Sequence, residues 1–468
     1  MLLFACLIAL GGFSPPVEFE DRFTGRTLRL DYHHVGTASE EHIAFDGLRL
    51  ENEWPGSRTR LIDDTNLGKY LFVVIDPRSN KQIYSRGFAS IYGEWETTGE
   101  AKQQWKSIHE SLRFPEPRAS VQLVLKKRGR DSSFREFWSR TVDPNTRFVD
   151  RSTVPANGTI VTVLDSGPPA EKVDLLVLGE GYTEDQGPKF EADLRRLTGH
   201  FLVTEPFRSR RADWNVRGLH IPSSEAGISN PRRGVWKASP LGLSFNAFDS
   251  DRYVLTYANR AIREAAAQAP YDTLVLLFND RKYGGGGIFN LWCTAAADSS
   301  QSPYLFVHEF GHSFAGLADE YYTSQVSYED FNPSGVEPWE VNITALLDPE
   351  RLKWRDLVEA ETPLPTPWNQ AEYDATSLAF QRRRTDMRAA GASEEQMDAL
   401  FGEVKAKTQP MLEGERFFGR VGAFEGGGYR AKGIYRAEAD CIMFTRNPKT
   451  YCRVCSRGLE QVMDLYSR

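Results

Sequence analysis

Two histidines four positions apart, with a glutamate between them, constrain this chain more than any other feature. They stand in the run His308-Glu309-Phe310-Gly311-His312. On a helix, residues four apart lie one turn above each other, so both imidazoles can bind the same zinc ion. The glutamate can then act as a base toward a zinc-bound water. The pattern therefore predicts a helix that carries a hydrolytic zinc site.

The residues around this run predict where the helix begins and ends. Ser302 can cap the N-terminus, Pro303 suits the first turn, and Gly316 can end the helix in the left-handed conformation. Phenylalanines recur on one side of the helix, at Phe306, Phe310 and Phe314, which leaves the histidines on a face that can line a cleft. The alternative is a buried helix with two hydrogen-bonded histidines. That alternative would leave the intervening glutamate buried without a partner.

Zinc needs a third protein ligand, and no histidine follows His312. A downstream ligand is therefore expected to be a carboxylate. Asp319 follows Gly316 by three residues, so a turn at the glycine can bring this carboxylate back to the metal. Glu320 is the neighbouring alternative. A third candidate is the charged segment 394–398, whose Glu-x-x-x-Asp spacing suits a ligand helix but also a solvated one.

From Lys172 onward, short apolar strands alternate with helical patterns, as expected for a sheet covered by helices. The predicted strands are 173–178, 214–221 and 273–278, and the predicted helices are 188–203 and 252–267. The glycine-rich run 284–293 then predicts an edge strand just before the zinc helix. We expect an extended substrate to pair with main-chain groups of Gly286, Gly287, Ile288, Phe289 and Asn290. A flexible glycine loop is the alternative.

Three further regions complete the predicted organisation. Within residues 17–150, apolar residues alternate with polar ones or form short continuous runs, and turn residues separate these stretches. This pattern predicts an N-terminal β-sandwich domain. The segment 150–169, rich in Pro, Gly and Ser, is typical of a linker to a catalytic domain over 170–468. Within that domain, 323–421 is expected to be a mainly helical insertion below the cleft.

Composition and the N-terminus bear on partners and location. The formal net charge of −7 offers no basic surface, so we expect no nucleic-acid partner. Residues 2–10 are almost entirely apolar and precede glycines and prolines, which predicts a signal peptide over 1–14 and a secreted or periplasmic protein. A buried N-terminal strand is the alternative. No transmembrane segment is expected in the mature protein.

Four cysteines remain after the predicted signal peptide: Cys293, Cys441, Cys452 and Cys455. In an oxidising compartment, this even number predicts disulfide bridges. The three nearest the C-terminus also have a spacing that suits a structural zinc, with Cys293 as the fourth ligand. Bridges are the preferred prediction, and a second zinc is the alternative.

Three runs together resemble the bacterial IgA-peptidase family of secreted zinc metallopeptidases. These runs are HEFGHSFAGLADEYY (308–322), GGGGIFNLW (284–292), and GAFEGGGYRAKGIYR followed by DCIM (422–443). The resemblance covers nearly the whole chain, including an N-terminal domain of the kind that precedes the catalytic domain there. It implies a multidomain α+β protein, in which the β-sandwich precedes a metzincin-like zincin domain with α/β alternation, a mixed sheet and an active-site helix.

The resemblance also implies an activity. It implies a zinc-dependent endopeptidase with one catalytic Zn²⁺, a polypeptide substrate, Glu309 as base, and His308, His312 and Asp319 as ligands. In metzincins a methionine turn forms a hydrophobic floor beneath the metal, and Met443 is the candidate for it here, with core packing as the alternative. The resemblance does not imply immunoglobulin as the substrate.

A different class of function competes with this one. The chain can instead be a secreted binding or adhesion protein, in which the N-terminal domain acts and the zinc is structural. A structural site closes its fourth position with protein, whereas a catalytic site leaves that position open. The presence of Glu309 favours catalysis.

Overall fold

The computed structural model describes residues 18–324, 326–329, 331–447 and 450–467. The predicted signal peptide over 1–14 lies outside these residues. Two sheets near the N-terminus are followed by a mixed sheet covered by helices, which makes this a multidomain α+β protein. Every helix within the described ranges is too short or too polar to cross a membrane.

The N-terminal part consists of two four-stranded sheets. Its elements are α1 (Phe19–Arg22), β1 (Phe23–Gly36), β2 (Glu41–Glu53), β3 (Tyr70–Asp76), β4 (Lys81–Phe88), α2 (Ile91–Trp95), β5 (Lys106–Pro117), β6 (Val121–Arg128), β7 (Phe134–Val142) and β8 (Val149–Asp150). The sheet orders are β5-β1-β2-β8 and β4-β3-β6-β7. Apolar side chains from both sheets, such as Leu30 and Phe72, are buried in one core. Alternating apolar residues thus produce two sheets that share an interior.

The second part is built on a six-stranded mixed sheet. Its elements are β9 (Thr159–Leu164), β10 (Val173–Glu180), α3 (Gly187–Phe201), β11 (Trp214–His220), α4 (Asn259–Ala266), β12 (Thr273–Phe278), β13 (Gly285–Ile288), β14 (Trp292–Ala296) and α5 (Ser302–Ala315). The strand order is β13-β14-β12-β10-β11-β9. The four inner strands are parallel, and the two outer ones are antiparallel to their neighbours. Strands β10 and β12 are buried throughout, as parallel strands covered on both faces must be.

Three predicted segments in this part of the chain differ clearly from the elements that form there. The segment predicted as a linker contains β9, which pairs with β11. The helix predicted over 252–267 is shortened to α4, because the amide of Val254 and the carbonyl of Arg252 pair with Gly285 instead. The single strand predicted over 284–293 is a hairpin of β13 and β14.

The remaining elements surround the end of helix α5. They are β15 (Ile343–Thr344), α6 (Gln370–Ala389), α7 (Glu394–Glu413), β16 (Phe424–Gly427), β17 (Arg430–Arg436) and α8 (Arg453–Tyr466). The prediction of a mainly helical insertion over 323–421 is wrong for its first half, where the described residues form loops, short turns and β15. The ammonium group of Lys353 bonds the loop carbonyls of Glu340 and Ile343, so these groups need no helix to satisfy them.

The N-terminal sheets contact the second part directly. The guanidinium group of Arg113 donates to the carbonyl of Tyr271 at 2.9 Å and lies 3.6 Å from the centre of its ring. The amide of Ala89 donates to the carbonyl of Phe289 at 2.9 Å. The second contact fixes the turn of the β13–β14 hairpin, in which Phe289 lies.

Helix α5 lies in the centre of the larger core. The Phe310 ring is centred 4.9 Å from Phe201, 5.6 Å from Phe207 and 5.8 Å from Trp214. The phenylalanine face predicted for this helix is therefore its buried face. Ser302 does not cap the helix as predicted: it is the first helical residue, and its hydroxyl donates to the carbonyl of Ala296 at 2.6 Å.

We expect the Phe310→Ala substitution to lower the free energy of unfolding by about 3–5 kcal/mol, because it leaves a cavity among packed aromatic rings. Urea unfolding followed by tryptophan fluorescence measures this change. Phe148→Ala is the matched control, since Phe148 is 76% exposed and its loss should change stability by no more than about 0.5 kcal/mol. Equal effects of the two substitutions would contradict a central role for Phe310.

Candidate metal centre

Helix α5 places His308 and His312 next to each other, one turn apart. Their Nε2 atoms are 3.3 Å apart. The Nδ1 atom of His308 donates to the carbonyl of Ile442 at 3.0 Å, and that of His312 donates to the carbonyl of Leu317 at 2.5 Å. Because each Nδ1 carries the proton, each Nε2 directs a lone pair toward the same point.

The chain turns back after the helix at Gly316. This residue has φ of 59°, and a Cβ atom added to it would lie 2.5 Å from the ring of Trp339, so both conformation and space require glycine. The turn returns Asp319 to the histidines. Its Oδ1 atom lies 3.1 Å from Nε2 of His308 and 3.3 Å from Nε2 of His312.

The three atoms form a nearly equilateral triangle, with sides of 3.1, 3.3 and 3.3 Å. Bonds of about 2.0–2.1 Å to a tetrahedral zinc would separate ligand atoms by about 3.3–3.4 Å. Within the described residues, Oδ1 of Asp319 is buried without a hydrogen-bond partner. Such an atom is costly unless a cation compensates for it. The residues present therefore fit a zinc ion.

A metal ion and protons would compete for the same nitrogen and oxygen atoms of this group. Burial lowers the pKa of His312, but the carboxylates of Asp319 and Glu309 and the carbonyl of Leu317 together outweigh burial and raise that pKa to about 9. Burial raises the pKa of Asp319, and the two imidazoles reverse this, so that its pKa falls well below the usual range. Without metal, protonated imidazole and carboxylate attract each other, and a bound metal would displace these protons.

Tyr429 supports the carboxylate from the other side. Its hydroxyl donates to Oδ2 of Asp319 at 2.6 Å. This bond occupies one carboxylate oxygen and leaves the other directed at the histidines. Hydrogen bonds to ligands of this kind orient them and raise metal affinity.

The alternative third ligands lie elsewhere. Glu320 faces away from the histidines, accepts a hydrogen bond from Asn342 at 3.0 Å, and lies 3.3 Å from the sulfur of Cys455. The segment 394–398 begins helix α7, where Glu394 is paired with Arg388. Among the described residues, the group that could hold a metal with the histidines contains Asp319 alone as its carboxylate.

Glu309 lies beside the three ligand side chains in a cleft of about 300 Å³. Burial raises the pKa of its carboxyl, and the two neighbouring imidazoles partly oppose the effect. A carboxyl with a raised pKa at the surface of a cleft is suited to proton transfer near neutral pH.

Strand β13 packs closely on helix α5 because its glycines carry no side chains. A Cβ atom on Gly287 would lie 2.4 Å from the carbonyl oxygen of Glu309, so glycine permits this close approach. At the outer edge of the sheet, the amide of Gly285 donates to the carbonyl of Arg252, and its carbonyl accepts from the amide of Val254. Gly287 lies two residues further and presents its own amide and carbonyl on the same edge, toward the cleft.

The free strand edge is shorter than the substrate edge predicted from the sequence. Gly286 and Ile288 face the partner strand β14, whereas Phe289 and Asn290 belong to the hairpin turn. The Phe289 carbonyl accepts from Ala89, and the Asn290 amide donates to the carbonyl of Ser313. The glycine-rich run is therefore neither a flexible loop nor one long strand.

Met443 lies in a turn that bonds the segment after helix α5, and its predicted place beneath a metal stays a prediction. Its side chain is fully buried, and its carbonyl accepts from the amide of Glu320 at 2.9 Å. The preceding residue, Ile442, supplies the carbonyl that orients His308. This turn thus contacts the candidate site through its backbone.

Both parts of the chain line the cleft. Lys69, Glu94 and Arg128 come from the N-terminal sheets and helix α2, and four tyrosines come from the second part: Tyr253, Tyr321, Tyr328 and Tyr429. Glu94 accepts hydrogen bonds from the hydroxyls of Tyr253 and Tyr328 at 2.5 and 2.7 Å. Burial raises the pKa of Glu94 to about 7.

Comparison with models of protein families finds two matches. The model described as IgA Peptidase M64 matches residues 161–463, and the one described as Peptidase M64 N-terminus matches residues 18–139. The chain belongs to the IgA peptidase M64 family. This confirms the family resemblance of the sequence, and it makes the protein a peptidase, a hydrolase that acts on polypeptides. No curated protein matches the chain.

Two features of this M64 peptidase were not predicted from the sequence. The carbonyl of Ile442 and the hydroxyl of Tyr429 hold metal-site residues that lie more than a hundred positions earlier in the chain. Tyr429 lies in the run GAFEGGGYRAKGIYR, which indicates the family but no contact for this residue. Its bond to Asp319 depends on long-range packing, which has no local signal.

The prediction of disulfide bridges is wrong for the described residues of this M64 peptidase. Cys293, Cys441, Cys452 and Cys455 are all unpaired thiols. Three of them cluster with Glu320, and Cys293 lies outside that cluster. An even number of cysteines does not show that any two of them are close in the fold, whereas a bridge requires two sulfur atoms within bonding distance.

We expect Tyr429→Phe to weaken zinc binding at the histidine site by about 10–100-fold, because Asp319 loses the hydrogen bond that orients it. The dependence of peptide cleavage on free zinc concentration measures this affinity. Tyr435→Phe is the matched control, since Tyr435 lies on the nearby strand β17 and is half-buried. An unchanged zinc dependence in Tyr429→Phe would contradict the supporting role of this hydroxyl.

Proposed function

We propose that this M64 peptidase is an exported, zinc-dependent endopeptidase, with His308, His312 and Asp319 as metal ligands and Glu309 as the base. One observation carries the proposal: two imidazole nitrogens and one carboxylate oxygen converge within 3.3 Å of one another. The group is buried on one side and opens on the other into the cleft that Glu309 lines.

The open side of the group favours catalysis over a purely structural role. Among the described residues, the site has three protein ligands and no fourth. Three protein ligands with one position left for water or substrate are typical of catalytic zinc, whereas structural zinc is enclosed by four. The reading of the chain as a binding or adhesion protein is also disfavoured by its membership of a peptidase family.

Bound zinc would supply Lewis acidity, which lowers the pKa of water and polarises a peptide carbonyl. The chain's own residues provide the proton transfers. A carboxylate oxygen of Glu309 accepts the proton of the attacking water and later passes it to the leaving amide nitrogen. The raised pKa of Glu309 suits both steps, because the group must take up a proton and release it at the same pH.

The edge of strand β13 would hold the substrate in an extended conformation. The amide and carbonyl of Gly287 face the cleft and can pair with one residue of a peptide. Recognition through the main chain does not depend on substrate side chains. It places the peptide alongside Glu309, whose backbone packs directly on Gly287.

We further propose that Tyr321 stabilises the oxyanion that forms from the substrate carbonyl. Tyr321 and Tyr429 both line the cleft, but the hydroxyl proton of Tyr429 is already bonded to Asp319. The hydroxyl of Tyr321 accepts from the guanidinium group of Arg252 at 2.8 Å. Its own proton lies near the Asp319 carboxylate and would turn from there to an oxygen in the cleft, where the adjacent positive charge of Arg252 favours negative charge.

We expect Glu309→Gln to reduce cleavage of a casein-like substrate by at least about 100–10,000-fold, because glutamine cannot accept the proton. The variant should keep the metal content of the wild type, measured by elemental analysis of the same preparation. Glu413→Gln, on helix α7, is the matched control and should retain activity. Retained cleavage by Glu309→Gln would exclude Glu309 as the base.

We expect Tyr321→Phe to lower kcat by about 100-fold with little change in KM, because an oxyanion donor acts mainly in the transition state. Steady-state kinetics on a fluorogenic peptide measure both constants. Tyr322→Phe is the matched control, since the hydroxyl of Tyr322 donates to Asp374 at 2.7 Å, outside the set of residues that line the cleft. A rise in KM with unchanged kcat would assign Tyr321 to substrate binding instead.

A further inference from the structure

Four buried side chains converge on the far side of the segment that follows helix α5. They are the carboxylate of Glu320 and the thiols of Cys441, Cys452 and Cys455. Cys441 begins the turn that contains Met443, and Cys452 and Cys455 lie at the start of helix α8. The ligand atoms of all four residues lie within 4.8 Å of one another.

The measured separations fit one tetrahedral ion. The sulfur atoms of Cys441 and Cys455 are 3.8 Å apart, and the sulfur of Cys455 is 3.3 Å from Oε1 of Glu320. Zinc bonds of about 2.3 Å to sulfur and 2.0–2.2 Å to oxygen would give separations of about 3.8 and 3.5–3.7 Å. A disulfide bond would require about 2.0 Å between sulfur atoms, so the thiols are too far apart to be a bridge.

One oxygen of the carboxylate at this place lacks a hydrogen-bond partner among the described residues. Asn342 donates to Oε1 of Glu320, but Oε2 is buried and has no hydrogen-bond partner among the described residues. The residue itself is fully buried. A carboxylate in such surroundings, next to three thiols, is costly unless a cation compensates for its charge.

We propose that Glu320, Cys441, Cys452 and Cys455 form a second zinc site, separate from the catalytic one and structural in role. Four protein ligands close the coordination sphere, and three thiolates favour zinc over magnesium or calcium. Binding releases the thiol protons to solvent. The fourth ligand is Glu320, and not Cys293 as the sequence spacing suggested, because Cys293 lies on strand β14 outside the cluster.

This site would hold the catalytic group together. It joins helix α8 and the turn at Met443 to the residue next to Asp319. The amide of Glu320 bonds the carbonyl of Met443, and the neighbouring carbonyl of Ile442 orients His308. Closure by zinc would therefore fix the relative positions of two catalytic ligands without contacting the substrate.

The test uses the full chain, with zinc and then cobalt as probes. The wild type should hold about two zinc ions after dialysis against a weak chelator. The double variant His308→Ala/His312→Ala should keep about one, and cobalt in it should show the thiolate charge-transfer absorption. Cys455→Ala should also keep about one, without that absorption. Cys293→Ala, the matched control, should keep both ions and the absorption.

Several results would overturn the proposal. One is a wild type with a single zinc that is lost in the histidine double variant. Another is cobalt bound to that variant without the charge-transfer absorption. A third is a disulfide between clustered cysteines, found by mass spectrometry. If Cys455→Ala does not fold, the histidine double variant still decides, because its cysteines are intact. Its remaining zinc must be released by a thiol-specific mercurial reagent, and zinc that resists the reagent would contradict the site. Failure of peptidase activity alone leaves these metal measurements unaffected.

Discussion

Two hydrogen bonds from histidine to backbone carbonyls determine how the candidate metal site is arranged. A histidine pair on a helix has four ring nitrogens, any of which could face a metal. Because both Nδ1 atoms are bonded to carbonyls, the two Nε2 atoms face the same point. One carbonyl, that of Leu317, exists in the right place because the helix ends at Gly316. The other, that of Ile442, lies 134 residues after His308 in the chain. The C-terminal region must therefore be in place for the two histidines to take this arrangement.

Local features of the chain were predictable to the extent that they depend on local physics. Strand β12 has the predicted bounds, and β10 begins where predicted, because short apolar runs between turn signals leave little freedom for buried parallel strands. The turn at Gly316 follows from helix termination by a left-handed glycine. These features place Asp319 within reach of the histidines.

Features that depend on contacts between distant segments were not predictable in the same way. The helix predicted over 252–267 loses its first turns because Arg252 and Val254 pair with Gly285, a partner that no local pattern indicates. The cysteines were expected to form bridges on the basis of their number. Their actual neighbour is Glu320, which the sequence offered only as a substitute for Asp319. In each case, tertiary pairing overrides a reasonable local preference.

The adjacent positions of Asp319 and Glu320 have a consequence for how this protein can vary. Successive side chains here point to opposite sides, one toward the histidines and the other toward the thiols. Deleting a single residue between Gly316 and Asp319 would present Glu320 to the histidines and leave the thiols without a carboxylate. Inserting one would present Asp319 to the thiols and leave the histidines without a carboxylate. The length of this short connection is thus under stricter constraint than the identity of most residues within it. Loop-length variation, which surface connections usually tolerate, should be excluded here.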